Sequence, residues 1–282
     1  MKSRLITALV VLASLASSGC ISGGACWGPT FWMKQTQELH FDTAGLEALI
    51  VRTHNGSVSF DNKLDSEDQA TVVAKVKAGG CTHAQAEEAM QALKVYNERS
   101  PDGTQRLGWK WSGVRHPGWQ GGVAFEIHAP SDLDFDGETH NGRITVNSVD
   151  GDVTVVTHNG ALEITSRSGE LNAATHNGGI TADYAGQNIA LLTHNGRIEA
   201  DIVECGAVSG TIETHNGGVR VTVGDSTAAE LRCETHNGKI TATAPLMVRE
   251  LSRGSMTGKL GDGGGRLSVS THNGSIRINK AE

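Results

Sequence analysis

Several residue types that define a protein class or carry its chemistry are scarce in this 282-residue chain. Aromatic residues make up 4%, and there are five cysteines and five prolines. No Cys-x-x-Cys pair occurs, so neither a zinc ribbon nor a thioredoxin-like redox site is supported. Lysine and arginine form no basic run, and the formal charge of −7 argues against nucleic acid as a partner. The sequence also lacks a Gly-x-Ser-x-Gly elbow, a phosphate loop and a His-Glu-x-x-His motif.

The N-terminus is typical of an export signal. Two basic residues precede an apolar stretch, Leu5 to Ala16, which is too short to cross a bilayer core of about 30 Å as a helix. Ser18-Gly19-Cys20 is similar to the end of a bacterial lipoprotein lipobox, whose cysteine is lipidated. We therefore predict a signal peptide over 1–20, a lipid anchor at Cys20, a tether over 21–37, and export to the periplasm or outer membrane. Ordinary signal cleavage near the same place is the alternative.

The cysteine count fits an exported protein. If Cys20 carries lipid, four cysteines remain, which is an even number in an oxidising compartment. Three disulfide connectivities are possible among them, and the sequence does not choose one. The four are Cys26, Cys81, Cys205 and Cys233.

Glycine is abundant, with 36 residues, and it marks a repeat. The tetrapeptide Thr-His-Asn-Gly occurs eight times, and a near-fixed period of about 20 residues is typical of a solenoid or stacked array. From Thr139 the copies start 18, 18, 18, 21, 21 and 36 residues apart. We interpret Ser255 to Gly258, inside the last gap, as a degenerate (worn) copy of the motif. The eight copies begin at Thr53, Thr139, Thr157, Thr175, Thr193, Thr214, Thr235 and Thr271.

Alternating apolar residues follow each copy. The residues two and four positions after each repeat glycine are apolar, which is the period-2 pattern of a strand with one buried face. Two architectures fit: a β-solenoid in which like residues stack in register, and an antiparallel meander, because Asn-Gly is also a strong hairpin signal. The identical corners favour the solenoid, which predicts contacts between Ile144, Leu162 and Ile180 in successive rungs.

One helix is predicted, over Thr82 to Val95, because apolar residues three and four apart share a face there. Thr82 and Gln85 form a capping box at its start. The predicted fold class is therefore all-β: a right- or left-handed β-solenoid with 18–21-residue repeats and one short helix near the N-terminal end. The domain is predicted over 38–282, with regular repeats from about residue 133.

Three segments, Phe125 to Pro130, Leu133 to Phe135 and Thr139 to Val146, carry a resemblance to a known family. They are similar to the bacterial "putative adhesin" domain of unknown function. That family is a repetitive β-solenoid of Asn-Gly-x-Ile turns preceded by a less regular segment. The resemblance covers about residues 39 to 282. It implies a cell-envelope β protein and brings no established catalytic residues.

The repeat histidines are the candidate ligand-binding residues. If rungs stack about 4.8 Å apart, the imidazoles form a column along one corner. Two neighbours could then share a divalent metal such as zinc or copper, but the third ligand and second shell of a strong site are missing from the sequence, and no cofactor is expected. The favoured alternative is structural: Asn-Gly supplies a left-handed turn while Thr and His pack along the corner. The column would contain His140, His158, His176, His194, His215, His236 and His272.

A carbohydrate-active enzyme is the remaining possibility. Some β-helical folds carry polysaccharide lyases and hydrolases, and Asp183, Glu199 and Asp201 are acids that could share a face. A solvated acidic face is the commoner arrangement of such residues. We therefore expect a non-enzymatic cell-envelope protein that acts as a structural or adhesive surface. Its expected partners are the membrane, through the lipid anchor, and an envelope protein or glycan.

Overall fold

Most of the chain is extended. The computed structural model describes residues 13–15, 28–63, 69–203 and 205–281. The predicted all-β class is confirmed, because the described residues form 24 strands and one α-helix. Two compact units divide at Pro130 and Ser131. Cys20 and Cys26, and the predicted signal peptide and tether except at 13–15 and 28–37, lie outside the described residues.

The first unit, up to Pro130, contains two groups of paired strands and the helix. Strands β1, β2, β5 and β8 pair antiparallel in that order, and β4 pairs with β8 in parallel. In the other group, β7 pairs in parallel with β3 and antiparallel with β6. The strands are β1 (Ala13–Leu15), β2 (Phe31–Asp42), β3 (Ala48–Arg52), β4 (Val58–Asp61), β5 (Gln69–Gly80), β6 (Leu93–Arg99), β7 (Thr104–Trp111) and β8 (Gln120–His128).

Helix α1 (His83–Ala92) begins where the sequence predicts and ends three residues early. The Thr82 hydroxyl accepts a hydrogen bond from the Gln85 N–H at 3.2 Å, which confirms the predicted cap. Leu93 turns to an extended conformation and starts β6, which pairs with β7. The backbone hydrogen bonds of that sheet therefore replace the last predicted helical turn.

The second unit, from Ser131, consists mainly of two parallel sheets. Strands that end in Thr-His-Asn form one sheet, which we call the motif sheet, and strands that follow each Asn-Gly form the second sheet. The motif-sheet strands are β9 (Asp134–Asn141), β11 (Val153–Asn159), β13 (Glu170–Asn177), β15 (Asn188–Asn195), β17 (Ser209–Asn216), β19 (Ala229–Asn237) and β23 (Arg266–Asn273). The second-sheet strands are β10 (Ile144–Val149), β12 (Leu162–Ser166), β14 (Ile180–Tyr184), β16 (Ile198–Ile202), β18 (Val219–Val223), β20 (Ile240–Ala242) and β24 (Ile276–Lys280).

Successive rungs pair in parallel and in register. Ile144 pairs with Leu162, and Leu162 pairs with Ile180, as the stacked arrangement predicts. These side chains are at most 1% exposed and form the core with inward residues of the motif sheet such as Val153 and Val155. The antiparallel meander is wrong, because the two strands around each Asn-Gly lie in different sheets. One buried face shared by neighbouring rungs is the arrangement that stabilises strands too short to be stable alone.

The last repeat departs from chain order. Strand β23 lies between β17 and β19, and β24 lies between β18 and β20. The interpretation of Ser255 to Gly258 as a worn rung is wrong, because β22 (Ser255–Leu260) pairs antiparallel with β19 and with β21 (Leu246–Leu251). The chain therefore builds an antiparallel hairpin along the edge of the motif sheet before its final repeat inserts between two earlier ones. The 36-residue gap between the starts of the last two motif copies contains this hairpin.

Candidate functional site

Seven histidines form one exposed column on the outer face of the motif sheet. Neighbouring ring centroids are 4.7–4.9 Å apart, and the ring planes differ by 1–20°. Six such spacings give a column about 29 Å long, with the ring faces covered by one another and the ring edges open to solvent. In space the order is His140, His158, His176, His194, His215, His272 and His236.

The threonines of the motif hold the corner from inside. In the seven rungs of the second unit each is at most 7% exposed. The Thr193 hydroxyl, for example, donates a hydrogen bond to the Gly178 carbonyl of the preceding rung at 2.9 Å. Six such bonds span 2.8–3.0 Å. A buried hydroxyl without a hydrogen-bond partner lowers the stability of the fold by about 1–3 kcal/mol. These bonds therefore explain how a buried threonine is accommodated at this position.

The asparagines form a second ladder beside the histidines. The Asn177 amide nitrogen donates to the Asn159 side-chain oxygen at 2.8 Å, and the same bond joins each pair of neighbouring rungs at 2.8–2.9 Å. Each amide therefore donates to one rung and accepts from the next, which fixes the rungs in register.

The glycines are needed for close approach and not for a left-handed turn. Among the described residues, no motif asparagine or glycine has a positive φ, so that part of the sequence interpretation is wrong. A Cβ on Gly196 would lie 1.9 Å from the carbonyl oxygen of Gly178, far inside van der Waals contact. The same clash, at 1.8–1.9 Å, recurs at Gly160, Gly178, Gly217, Gly238 and Gly274.

The first motif copy, in the first unit, makes the same kinds of contact through its threonine, asparagine and glycine. The Thr53 hydroxyl donates to the Val123 carbonyl at 2.7 Å, and the Asn55 amide donates to the Gly121 carbonyl at 3.3 Å. A Cβ on Gly56 would lie 2.1 Å from the Val123 oxygen. In this copy too, the threonine and asparagine bond to the backbone of the neighbouring chain segment, and the glycine allows that segment to approach closely.

The stacked geometry bears on the metal hypothesis. Two imidazole nitrogens bound to one zinc at about 2.0–2.1 Å are at most about 4.2 Å apart. A metal ion bound to an imidazole nitrogen lies in the plane of that ring, whereas the planes of neighbouring rings are stacked face to face and differ by 1–20°. An ion shared by two neighbours would therefore require at least one ring to rotate out of the stack. The described residues also include no group of three or more His, Cys, Asp or Glu side chains arranged to hold a metal.

An open groove of about 580 Å³ runs beside the histidine column. Its floor is a second column, two residues before each histidine, in which Val156, Ala174 and Leu192 are register neighbours. Val156 is 42% exposed and Leu192 is 52% exposed. The sequence interpretation missed these residues because it followed the repeated positions. Their signal was the alternation itself, which places an apolar residue on the same outward face as the histidine.

Glu213 ends the apolar part of this column. It pairs in register with Leu192 on one side and with Ser270 on the other. It lines the groove, a neighbouring open cavity of about 300 Å³, and a polar cavity of about 470 Å³ that also contains Glu234 and three histidines. The outer face therefore changes from apolar to acidic at Glu213.

The acids weighed as an enzyme site lie on the second sheet. Asp183 pairs in register with Asp201, and both are exposed, so these two do share a face. Glu199 forms ion pairs with Arg197 and Arg220 at 3.3 Å each. None of the three lines the cavities beside the histidine column. This arrangement matches a solvated, partly neutralised surface.

The cysteines do not all pair. Cys81 is disulfide-bonded, whereas Cys205 and Cys233 are buried and carry thiols. Burial raises the pKa of the Cys233 thiol to about 12, because the charged thiolate would lose its hydration. Cys233 therefore acts as a small apolar core residue, whereas the Cys205 thiol donates to the carbonyls of Val203 and Tyr184 at 3.2 and 3.3 Å.

Comparisons with known proteins give structural likenesses alone. No family model matches the chain, and no curated protein is similar to it. A putative cell adhesion protein from Clostridium sporogenes is 12% identical, with 88% of this chain and 100% of that chain covered and a TM-score of 0.37. A putative adhesin from Bacteroides fragilis is 12% identical, with 86% and 96% covered and a TM-score of 0.39.

A third structure, named a putative lipid binding protein, comes from Parabacteroides distasonis and is 10% identical, with 88% and 97% covered and a TM-score of 0.35. Likenesses at these levels state what the chain is similar to and assign it no function.

Proposed function

We propose that this chain is a non-enzymatic binding module of the cell envelope, an adhesin or structural interaction protein built on a β-solenoid of 18–21-residue repeats. Its recognition surface is the outer face of the motif sheet, where the histidine column borders the groove. The observation that carries this proposal is the column itself: seven exposed imidazoles in register beside exposed apolar side chains. A continuous exposed surface of this kind on a soluble domain is typical of an interaction site.

The repetition of histidine within the chain supports the proposal. Thr, Asn and Gly each have a structural duty at the corner. The outward-facing position two residues before the histidine varies freely among Glu, Val, Ala, Leu and Ser. Histidine does not vary across the seven rungs, although its edge faces solvent and many polar residues would be accommodated there. A ligand that contacts the ring edges explains this uniformity.

Export and a lipid anchor at Cys20 belong to the same proposal. They would hold the module on the periplasmic or outer-membrane surface, with an envelope protein or glycan as its partner. Within the part of the chain that the structure describes, no helix is long and apolar enough to cross a membrane.

The test replaces imidazole rings with glutamine side chains, which are polar but have no ring edge. His158→Gln, His176→Gln and His194→Gln are combined, and native envelope fragments are passed over the immobilised chain. We expect roughly tenfold weaker retention, because three of seven ring edges at the centre of the surface are lost. The matched control combines Asp183→Asn and Asp201→Asn on the second sheet. Equal retention by the histidine variant, or a loss confined to the acid control, contradicts the proposal.

A further inference from the structure

Glu213 is an exposed acid at one end of the apolar groove. It forms no hydrogen bond or ion pair with another described residue. Glu234, two strands away on the same face, is by contrast already paired with Arg232. Since the carboxylate of Glu213 opens into all three cavities of this face, its charge is available to a bound molecule.

The groove next to Glu213 is apolar. Val156 and Leu192 are two of the few large hydrophobic residues that are exposed in the described chain, and both line this groove with Ala174 between them. Exposed apolar side chains gathered in one groove mark a contact surface more often than scattered ones do. A molecule that covers them gains the burial of both side chains.

The charges on this face determine whether an anionic or a cationic ligand is favoured. The ionisable residues that line the three cavities are glutamates and histidines, and no lysine or arginine lines any of them. The whole chain carries a formal charge of −7. Anionic lipid headgroups and a second copy of this chain are therefore disfavoured, whereas a cationic group is attracted to Glu213.

The spacing of the column matches an extended polypeptide. Val156, Ala174, Leu192 and Glu213 occupy four successive rungs, so Val156 and Glu213 are about 14 Å apart at about 4.8 Å per rung. In an extended peptide, residues i, i+2 and i+4 face one way and span about 13 Å. Two apolar side chains and one basic side chain at these positions reach from Val156 to Glu213.

We infer that the groove binds an extended polypeptide segment of a partner protein with the pattern apolar-x-apolar-x-basic. The apolar side chains lie over Val156, Ala174 and Leu192, and the Lys or Arg pairs with Glu213 while the backbone runs along the histidine edges. This inference rests on the proposed function, because it names the partner class of the same surface. Main-chain groups of the peptide and the imidazole edges provide hydrogen-bonding partners for one another.

The probe is a fluorescein-labelled synthetic peptide, Gly-Leu-Ser-Val-Ser-Lys-Gly, titrated against the full chain by fluorescence anisotropy at two salt concentrations. We expect Glu213→Gln to weaken binding about tenfold at low salt and to remove most of the salt dependence. Leu192→Ser is expected to weaken binding by a similar factor at both salt concentrations. Glu250→Gln and Val248→Ser, exposed residues on β21 that line none of the three cavities, are expected to stay within twofold of the unaltered chain.

Three results overturn the inference: no binding of the peptide, equal binding by the Glu213→Gln variant, or equal binding of a peptide with Glu in place of Lys. Binding of the chain to phospholipid vesicles or to itself through this face, with the peptide ignored, also overturns it. Its failure is distinct from failure of the proposed function. If envelope retention depends on the histidines while the peptide does not bind, only the partner class is wrong.

Discussion

Removal of residues 266–282 is expected to unfold the C-terminal half of the second unit. These residues form β23 and β24, each of which lies between two other strands. Leu267, Val269, Ile276 and Ile278 are all fully buried. At roughly 1.5–3 kcal/mol for each buried side chain, their loss removes roughly 6–12 kcal/mol, which is comparable to the whole stability of a typical domain.

Hydrogen exchange measured by mass spectrometry checks this expectation. Amides in β17, β18, β19 and β20 should lose protection in the shortened chain, because their ladder partners are gone. A chain that lacks only Ala281 and Glu282 is the control and should keep its protection. Unchanged protection of β17 and β19 in the shortened chain would show that the final repeat is not inserted between them.

Gly217→Ala is expected to destabilise the second unit by about 3 kcal/mol or more. The new Cβ would lie 1.9 Å from the Gly196 carbonyl oxygen, a contact that only a shift of the backbone can relieve. Two rungs would have to separate at the corner where the threonine and asparagine ladders hold them together. Urea unfolding followed by circular dichroism gives the change in free energy.

The neighbouring residue is a matched control for this substitution. A Cβ on Gly218 comes no closer than 3.4 Å to the Ser275 oxygen, so Gly218→Ala should change the free energy of unfolding by less than about 1 kcal/mol. Similar effects for the two substitutions would mean that the motif glycine serves backbone flexibility and not the close approach of rungs.

Much of the fold follows from the repeat pattern. Identical corners followed by alternating apolar residues predict that Ile144, Leu162 and Ile180 stack, and they do. The helix start follows from Thr82 and Gln85, because a capping interaction is local. The helix end is not local. It depends on the pairing of β6 with β7, and the helix propensity of the residues gives no information about that pairing.

The order of the last rungs could not be predicted in the same way. A gap of 36 residues fits two equal repeats as well as it fits one repeat with an inserted hairpin. Which of the two forms depends on long-range strand pairing. The reason for the motif glycine was also hidden, because a sequence cannot distinguish a positive φ from a close backbone approach. The histidine column was predictable from period alone, whereas the groove was not, since its floor occupies positions that vary between copies.

The outer face is one continuous surface in which the rung of His272 lies between those of His215 and His236. Oxidative cross-linking tests this order of rungs most directly. Asn216 and Asn273 are register partners on adjacent strands, so Asn216→Cys with Asn273→Cys should form a disulfide, which needs Cα atoms about 4.4–6.8 Å apart. Asn216→Cys with Asn237→Cys should not, because two strand spacings separate them by about 10 Å. A cross-link in the second pair and none in the first would contradict the account.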